Sequence, residues 1–112
     1  MRKVRINVFG RVQGVNFRRN VKGFCDNNGV KGFVKNMGDG SVLIRAWASP
    51  EKIDSLVGFI RGSPGISKVE DVKISNEDSE ESYNLFEIIR EGSIFKDQKK
   101  ALANLGRKLL KD

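Results

Sequence analysis

The sequence predicts an α+β sandwich in which two helices pack on one face of an antiparallel sheet. Strand-like and helix-like runs follow one another in the order β-α-β-β-α-β, with the last β unit split into two runs. Each helical run carries its apolar residues on one face, as a helix does when it packs on one side of a sheet. The chain has 112 residues, 38% of them apolar and 31% charged, which is typical of one globular domain with a modest core.

The predicted order begins with a strand, a loop and a helix. Residues 3–9 alternate between apolar and polar side chains, which indicates a half-buried strand. A glycine-punctuated loop follows at residues 10–16. Apolar residues then recur at helical spacing over residues 17–27. We expect Asn16 to cap this helix at its N-terminus and Gly29 to end it, because these residue types are favoured at those positions.

A hairpin and a second helix follow. Residues 30–36 and 41–48 are predicted to be strands, joined by a turn whose two glycines can adopt positive φ. Ser49 is a suitable N-cap, with Pro50 at the first helical position. The glycines and proline of residues 62–65 end this helix. Its apolar face consists of Ile53, Leu56, Val57 and Ile60.

The split last β unit completes the pattern. Residues 66–75 are predicted to form the fourth strand, residues 76–82 a polar acidic loop, and residues 83–90 the fifth strand. Two β-α-β units arranged in this way give the ferredoxin-like sandwich. We therefore assign residues 1–91 to one domain with that fold.

Residues 92–112 lie beyond this domain and have the pattern of a basic amphipathic helix. An isolated helix of this length is marginal in water, so we expect its apolar stripe to dock on the open sheet face of this chain or of a second copy. The second arrangement would give self-association, and in both the basic face would be free for weak anion binding. Burial of the stripe on a membrane or nucleic-acid surface is the alternative. The apolar stripe consists of Phe95, Leu102, Leu105 and Leu109.

The net charge of +7 is concentrated in the first third of the chain. Residues 1–35 contain nine lysines and arginines and one acidic residue, Asp26, which gives +8. A surface this positive favours an anionic partner, either a small phosphate compound or nucleic acid. A solvated charged surface without a specific partner is the alternative that charge alone leaves open.

Missing residue types exclude several kinds of chemistry. The sequence has no histidine, which excludes a histidine base and a zinc site built from cysteine and histidine. Cys25 is the only cysteine, so no internal disulfide can form, and its helical register places it in the core. We expect neither a metal ion nor an organic cofactor. No run approaches the roughly 20 apolar residues of a membrane span, and we see no signal peptide, so we expect a cytoplasmic protein.

The loop between the first strand and the first helix is a candidate anion site. Its glycines, Gly10 and Gly14, allow the backbone to curl so that successive N–H groups point inward. The helix that begins directly afterwards contributes unpaired N–H groups and its positive dipole end. Arg18 in the first turn can form two parallel hydrogen bonds to phosphate oxygens. An ordinary strand-to-helix turn with a surface arginine is the alternative.

Two separated motifs carry a family resemblance. The run GRVQGVNFR at residues 10–18 is similar to the first signature of the acylphosphatase family. The run GFVKN at residues 32–36, followed at the family's spacing by Gly40 and Val42, is similar to its second. The resemblance covers residues 3–90 and includes the closing run FEIIR.

The resemblance implies a ferredoxin-like enzyme, an acylphosphatase, that hydrolyses acyl phosphates to a carboxylate and inorganic phosphate without a metal or cofactor. Arg18 matches the family's phosphate-binding catalytic arginine, and Asn36 matches the asparagine that holds the attacking water. Ala48 departs from the family pattern, in which glycine is usual, at the end of a strand. The backbone N–H groups that match the phosphate cradle belong to Arg11, Val12, Gln13, Gly14 and Val15.

Two other functions are compatible with this architecture. RNA-recognition domains share it, and Lys31-Gly32-Phe33 begins like one of their motifs, but the residues that follow lack aromatic side chains that would stack on bases. The other is an accessory domain of the maturation type that acts on carbamoyl phosphate, which the short free-standing length disfavours. Acyl phosphate hydrolysis is therefore the expected function, with an RNA-binding module as the alternative.

Overall fold

A computed structural model of the chain describes residues 1–78 and 80–90, and it confirms the predicted order of strands and helices. The elements are β1 (Arg2–Arg11), α1 (Phe17–Asn28), β2 (Lys31–Asn36), β3 (Val42–Ala48), α2 (Pro50–Arg61), β4 (Lys68–Asn76) and β5 (Phe86–Ile89). The extension predicted for residues 92–112 lies outside the described residues. Within the described part of the chain, no helix is long and apolar enough to cross a membrane.

The strands form one sheet in the order β4-β1-β3-β2-β5. Neighbours from β4 to β2 pair antiparallel, as predicted, whereas β5 lies parallel to β2 at one edge, so the sheet is mixed at its last pair. The connection after β4 crosses one end of the sheet to the opposite edge. As a result, β5 starts at the end where β4 stops and runs in the direction of β2.

Both helices pack on the sheet face that carries the apolar residues of β1. The side chains of Val4, Ile6 and Val8 in β1 are fully buried, which confirms the predicted alternation. Burying each of them contributes about 1.5–3 kcal/mol of hydrophobic free energy. The helix residues buried in the same core are Phe17, Val21 and Cys25 of α1 and Ile53, Leu56 and Ile60 of α2.

Two strands begin more than one residue later than the sequence pattern predicts. The strand β4 begins at Lys68 rather than at residue 66, and Ile66 is 71% exposed. The strand β5 begins at Phe86 rather than at residue 83, and Tyr83 belongs to the preceding connection. Ile66 and Tyr83 have side chains that are common in strands, but neither residue pairs with a neighbouring strand.

The helix ends follow the predicted residue types, although the side chain of Asn16 does not cap α1. Ser49 caps α2, since its Oγ accepts a hydrogen bond from the backbone N–H of Lys52 at 3.3 Å. Gly29 ends α1 in a left-handed conformation with a φ of 68°. Asn16 occupies the predicted N-cap position of α1, but its side chain makes no capping hydrogen bond. Its φ of 61° is left-handed, whereas a residue that caps through its side chain is usually extended.

Gly32 in β2 leaves no room for a side chain. Its φ is 136°, and a Cβ there would overlap the backbone carbonyl oxygen of Arg45 on β3. We expect Gly32→Ala to lower the free energy of unfolding by about 2 kcal/mol or more. Gly23 is the matched control, because it lies on the exposed surface of α1 and a Cβ there would meet no atom within 4 Å.

The control substitution, Gly23→Ala, should raise the free energy of unfolding by about 0.5–1 kcal/mol, since alanine restricts the unfolded chain more than glycine. Urea unfolding of both variants measures the difference. A Gly32→Ala protein as stable as the wild type would contradict the packing described for β2 and β3.

Candidate active site

The candidate site lies at the end of the sheet where β1, β2 and β5 finish. The strand β1 ends at Arg11 and leads through residues 12–16 into α1. Because β1 and β2 are each antiparallel to β3, and β5 is parallel to β2, Asn36 and Ile89 close their strands at this same end. The topology therefore places the two predicted motifs and the end of β5 at the same end of the sheet.

The connection of residues 12–16, here called the cradle loop, turns through two left-handed residues. Gly14 has a φ of 75° and Asn16 a φ of 61°. A Cβ on Gly14 would meet no atom within 4 Å, so glycine is favoured there by the backbone conformation and not by lack of space. Turns of this kind collect backbone N–H groups into a concave surface that suits an anion.

Side chains of the cradle loop fix it to the rest of the domain. Val12 and Val15 are buried in the core, at 1% and 5% exposure. The Nε2 of Gln13 donates hydrogen bonds to the carbonyl oxygens of Met37 and Ser41, each at 2.8 Å. These three side chains are used for anchoring, which leaves their backbone N–H groups as the parts that could contact a phosphate.

A cavity of about 200 Å³ lies against the cradle loop and the first turn of α1. It brings together three of the predicted site residues, Val12, Gly14 and Arg18. Arg19 and Arg90 also line it, and no acidic side chain of the described residues does. Asn16, Phe17 and Ile88 complete the lining. Three guanidinium groups around one small cavity make it a candidate site for an anion.

The first turn of α1 carries only positive charge. It contains no acidic residue, and Asn16 provides no side-chain cap. Arg18 and Arg19 lie in this turn, where each cation beside the positive end of the helix dipole is unfavourable by about 0.3–1 kcal/mol. A bound anion would offset this repulsion and accept hydrogen bonds from N–H groups that have no intrahelical partner.

Asn36 is the last residue of β2 and lies next to the anchor of the cradle loop. Its backbone neighbour Met37 accepts the hydrogen bond from Gln13. The Oδ1 atom of Asn36 is buried and has no hydrogen-bond partner among the described residues. An unsatisfied buried acceptor costs about 1–3 kcal/mol, so this atom is suited to accept a hydrogen bond from a donor such as water. Asn36 lies beside the cradle loop but is not among the residues that line the cavity.

Arg11, the residue just before the cradle loop, is placed differently from the loop residues. It is the last residue of β1, where it pairs with Lys68, and its side chain is exposed. It does not line the cavity. The role that the resemblance implies for Arg11 concerns its backbone N–H group and not this side chain.

Sequence reasoning missed Arg19 and Arg90 as lining residues. Arg19 follows Arg18 directly in the first helical turn, so its position beside the anion site could have been predicted. Arg90 reaches the cavity because β5 pairs with β2 in the parallel direction. The four residues of β5 do not specify which strand they pair with, so the sequence gives no signal for this second placement.

Two other kinds of chemistry find no support in the described residues. Burial and the neighbouring carboxylate of Asp26 raise the pKa of the Cys25 thiol to about 12, so this thiol is protonated at neutral pH and is a poor nucleophile. Across residues 1–78 and 80–90, no group of three or more carboxylate or thiol side chains is placed to hold a metal ion.

A larger groove of about 720 Å³ lies on the sheet face opposite the helices. Phe33 on this face is 9% exposed and packs edge-on against Tyr83, with ring centroids 5.9 Å apart. Arg45 forms ion pairs with Glu77 at 3.0 Å and with Glu81 at 2.9 Å. A covered aromatic ring and neutralised positive charge disfavour the alternative RNA-binding function, which needs exposed aromatic side chains for base stacking.

Relatives of known name match nearly the whole described domain. The sequence model of the acylphosphatase family matches residues 4–88. A protein of Enterococcus faecalis named acylphosphatase is 40% identical over 91 residues, which cover 80% of this chain and 100% of that protein. The protein of that name from Bacillus subtilis is 37% identical over 89 residues, covering 80% of this chain and 98% of its own length.

Solved structures share the fold. The crystal structure of acylphosphatase from Bacillus subtilis is similar with a TM-score of 0.75 and 37% identity, over 80% of this chain and 99% of that one. An acylphosphatase structure from Coxiella burnetii is similar with a TM-score of 0.73 and 28% identity, over 78% of this chain and 90% of that one. The crystal structure of full-length HypF in a phosphate- and nucleotide-bound form is similar with a TM-score of 0.72 and 26% identity. The match covers 81% of this chain but only 12% of that one. The described domain thus corresponds in extent to the small proteins and to a minor part of the longer one.

Proposed function

The chain belongs to the acylphosphatase family, and we propose that it hydrolyses the carboxyl–phosphate bond of acyl phosphates in the cavity beside the cradle loop. The observation that carries this proposal is the position of Arg18, which lines a small cavity at the start of α1 together with Gly14 of the cradle loop. The products are a carboxylate and inorganic phosphate. The roles that follow are assigned to individual residues of this chain.

Arg18 and the backbone of residues 11–15 hold the phosphoryl group in this mechanism. The guanidinium group donates two parallel hydrogen bonds to phosphoryl oxygens, and the N–H groups of the backbone donate others. Negative charge is spread over the three equatorial oxygens in the transition state, where fixed donors stabilise it most. The support for this role is the positive first turn of α1, which lacks an acidic residue.

Asn36 orients the attacking water molecule. Its buried Oδ1 has no protein partner among the described residues and would accept a hydrogen bond from the water. A new bond forms between the water oxygen and phosphorus, and the bond from phosphorus to the acyl oxygen breaks. The carboxylate leaves with the electron pair, and the proton of the water passes to an oxygen of the phosphate. A neutral amide suits this position because it does not repel the phosphoryl group.

This mechanism requires no metal ion. A carboxylate is a good leaving group, and Arg18 and the backbone N–H groups stabilise the negative charge of the phosphoryl group. We expect the protein to release phosphate from acetyl phosphate at an unchanged rate in excess EDTA. A phosphate monoester such as p-nitrophenyl phosphate is the control, and it should be a much poorer substrate because its leaving group is more basic. Loss of activity in EDTA that a divalent cation restores would overturn the mechanism.

We also propose that residues 92–112 are an accessory segment and that residues 1–91 contain the whole catalytic domain. The Enterococcus faecalis relative is covered over its full length by 91 aligned residues, and the family match ends at residue 88. Self-association and weak anion binding are the roles we propose for the segment, from its amphipathic, basic sequence. Acyl phosphate turnover by a chain that ends at residue 91 tests this division.

A further inference from the structure

We propose that Arg19 and Arg90 form a second anion subsite, which selects acyl phosphates whose acyl group carries its own negative charge. Both arginines line the same cavity as Arg18. The inference rests on the proposed function, because that function assigns the phosphoryl group to Arg18 and the cradle loop. It adds a substrate class, namely acyl phosphates with a carboxylate or another anionic group at the far end.

The three arginines differ in exposure. The side chain of Arg18 is half-buried, whereas Arg19 and Arg90 are exposed. We therefore assign Arg18 to the inner, phosphoryl end of the cavity and the other two to its rim. A phosphoryl group held by Arg18 would direct the acyl chain of the substrate outward, towards these two guanidinium groups.

The cavity is larger than a phosphoryl group requires. Its volume is about 200 Å³. A cavity needs about 10–15 Å³ of such space to hold one water molecule, so this one has room for more than a single small group. The apolar side chains of Phe17 and Ile88 form part of the wall and would contact a short carbon chain. In this proposal, Arg18 contacts the phosphoryl group, the apolar side chains contact an aliphatic linker, and the rim arginines contact a terminal anionic group.

The positive charge of Arg19 and Arg90 favours the binding of a second anion. Within residues 1–78 and 80–90, no ion pair joins Arg19 or Arg90 to an acidic side chain, and no acidic residue lines the cavity. Arg18 and the N-terminal end of α1 already complement the phosphoryl group. A terminal carboxylate would accept paired hydrogen bonds from a guanidinium group, whereas an uncharged acyl chain would leave both rim arginines without a partner from the substrate.

Binding of two phosphonates tests the subsite without relying on turnover. One is a carboxyalkyl phosphonate, and the other is the uncharged-tail alkyl phosphonate of the same length. At low salt, we expect wild-type protein to bind the first about fivefold more tightly or better in titration calorimetry, a modest preference because both arginines are exposed. The double variant Arg19→Gln/Arg90→Gln should bind both within twofold. The control Arg5→Gln/Arg61→Gln removes the same charge outside the cavity and should keep the preference.

The matching kinetic comparison uses succinyl phosphate and butyryl phosphate. We expect kcat/KM to favour succinyl phosphate in the wild type and the control, and the preference to shrink in the cavity double variant and at high ionic strength. Equal binding of the two phosphonates by wild type, or a preference that survives the cavity double variant, would overturn the subsite. Failure of the proposed function is distinguishable, since neither acyl phosphate would then be hydrolysed while the phosphonate preference could persist.

Discussion

Replacing Arg18 by alanine should reduce kcat/KM for an acyl phosphate by about a thousandfold or more, because loss of a fixed donor to the transition-state phosphoryl group costs two to three orders of magnitude and the cation is lost with it. Inorganic phosphate should also bind much more weakly. The fold should survive, since Arg18 lies in the first helical turn and not in the core. Initial-rate kinetics, phosphate titration and thermal melting on one preparation measure all three effects.

The conservative variant Arg18→Lys makes this prediction specific. Lysine keeps the charge but cannot donate two parallel hydrogen bonds from a planar group, so its turnover should stay far below that of the wild type. Arg61→Ala, which removes an arginine from the last turn of α2, serves as the control and should behave like the wild type. Turnover of Arg18→Ala within a few-fold of the wild type would contradict the assignment of this residue.

Replacing Asn36 by alanine should reduce turnover by about a hundredfold or more while leaving the affinity for inorganic phosphate within a few-fold of the wild type. The two measurements separate because orienting water and holding the phosphoryl group use different atoms. Stability should not fall, because the substitution removes a buried oxygen that has no hydrogen-bond partner among the described residues. A purely structural asparagine would show the opposite pattern, with lower stability and little change in the chemical step.

Asn36→Asp provides the comparison that tests the neutral amide. It keeps the shape of the side chain but adds a negative charge beside the phosphate site, so both phosphate affinity and turnover should fall. Parallel titrations and rate measurements on Asn36→Ala and Asn36→Asp are needed. Equal losses of phosphate binding and turnover in Asn36→Ala would show that Asn36 acts on the loop rather than on the water.

Local patterns were enough to predict most of the fold. The alternation of Val4, Ile6 and Val8 specified the buried face of β1, and the Ser49-Pro50 pair specified the start of α2. Pairing between distant strands was not specified in the same way. The short strand β5 carries no local feature that distinguishes a parallel partner from an antiparallel one. Its parallel pairing with β2 could therefore be seen only in the structure.

The same limit applies to the site. The glycines and Arg18 could be placed from the motif, because they are consecutive along one strand-to-helix connection. Asn16 occupies the predicted N-cap position, but its backbone is left-handed, whereas a residue that caps through its side chain is usually extended. The side chain of Gln13 bridges to Met37 and Ser41, which requires the hairpin to lie beside the loop and cannot be read from the motif alone.

Hydrolysis of an acyl phosphate in water enriched with ¹⁸O tests the central claim most directly, because it identifies the atom that the water attacks. Mass spectrometry of the products should show one labelled oxygen in inorganic phosphate and none in the carboxylate, since in the proposed mechanism the water attacks phosphorus and the original bridging oxygen leaves with the acyl group. Label in the carboxylate would show attack at the carbonyl carbon and would contradict the phosphoryl-transfer mechanism proposed for this site.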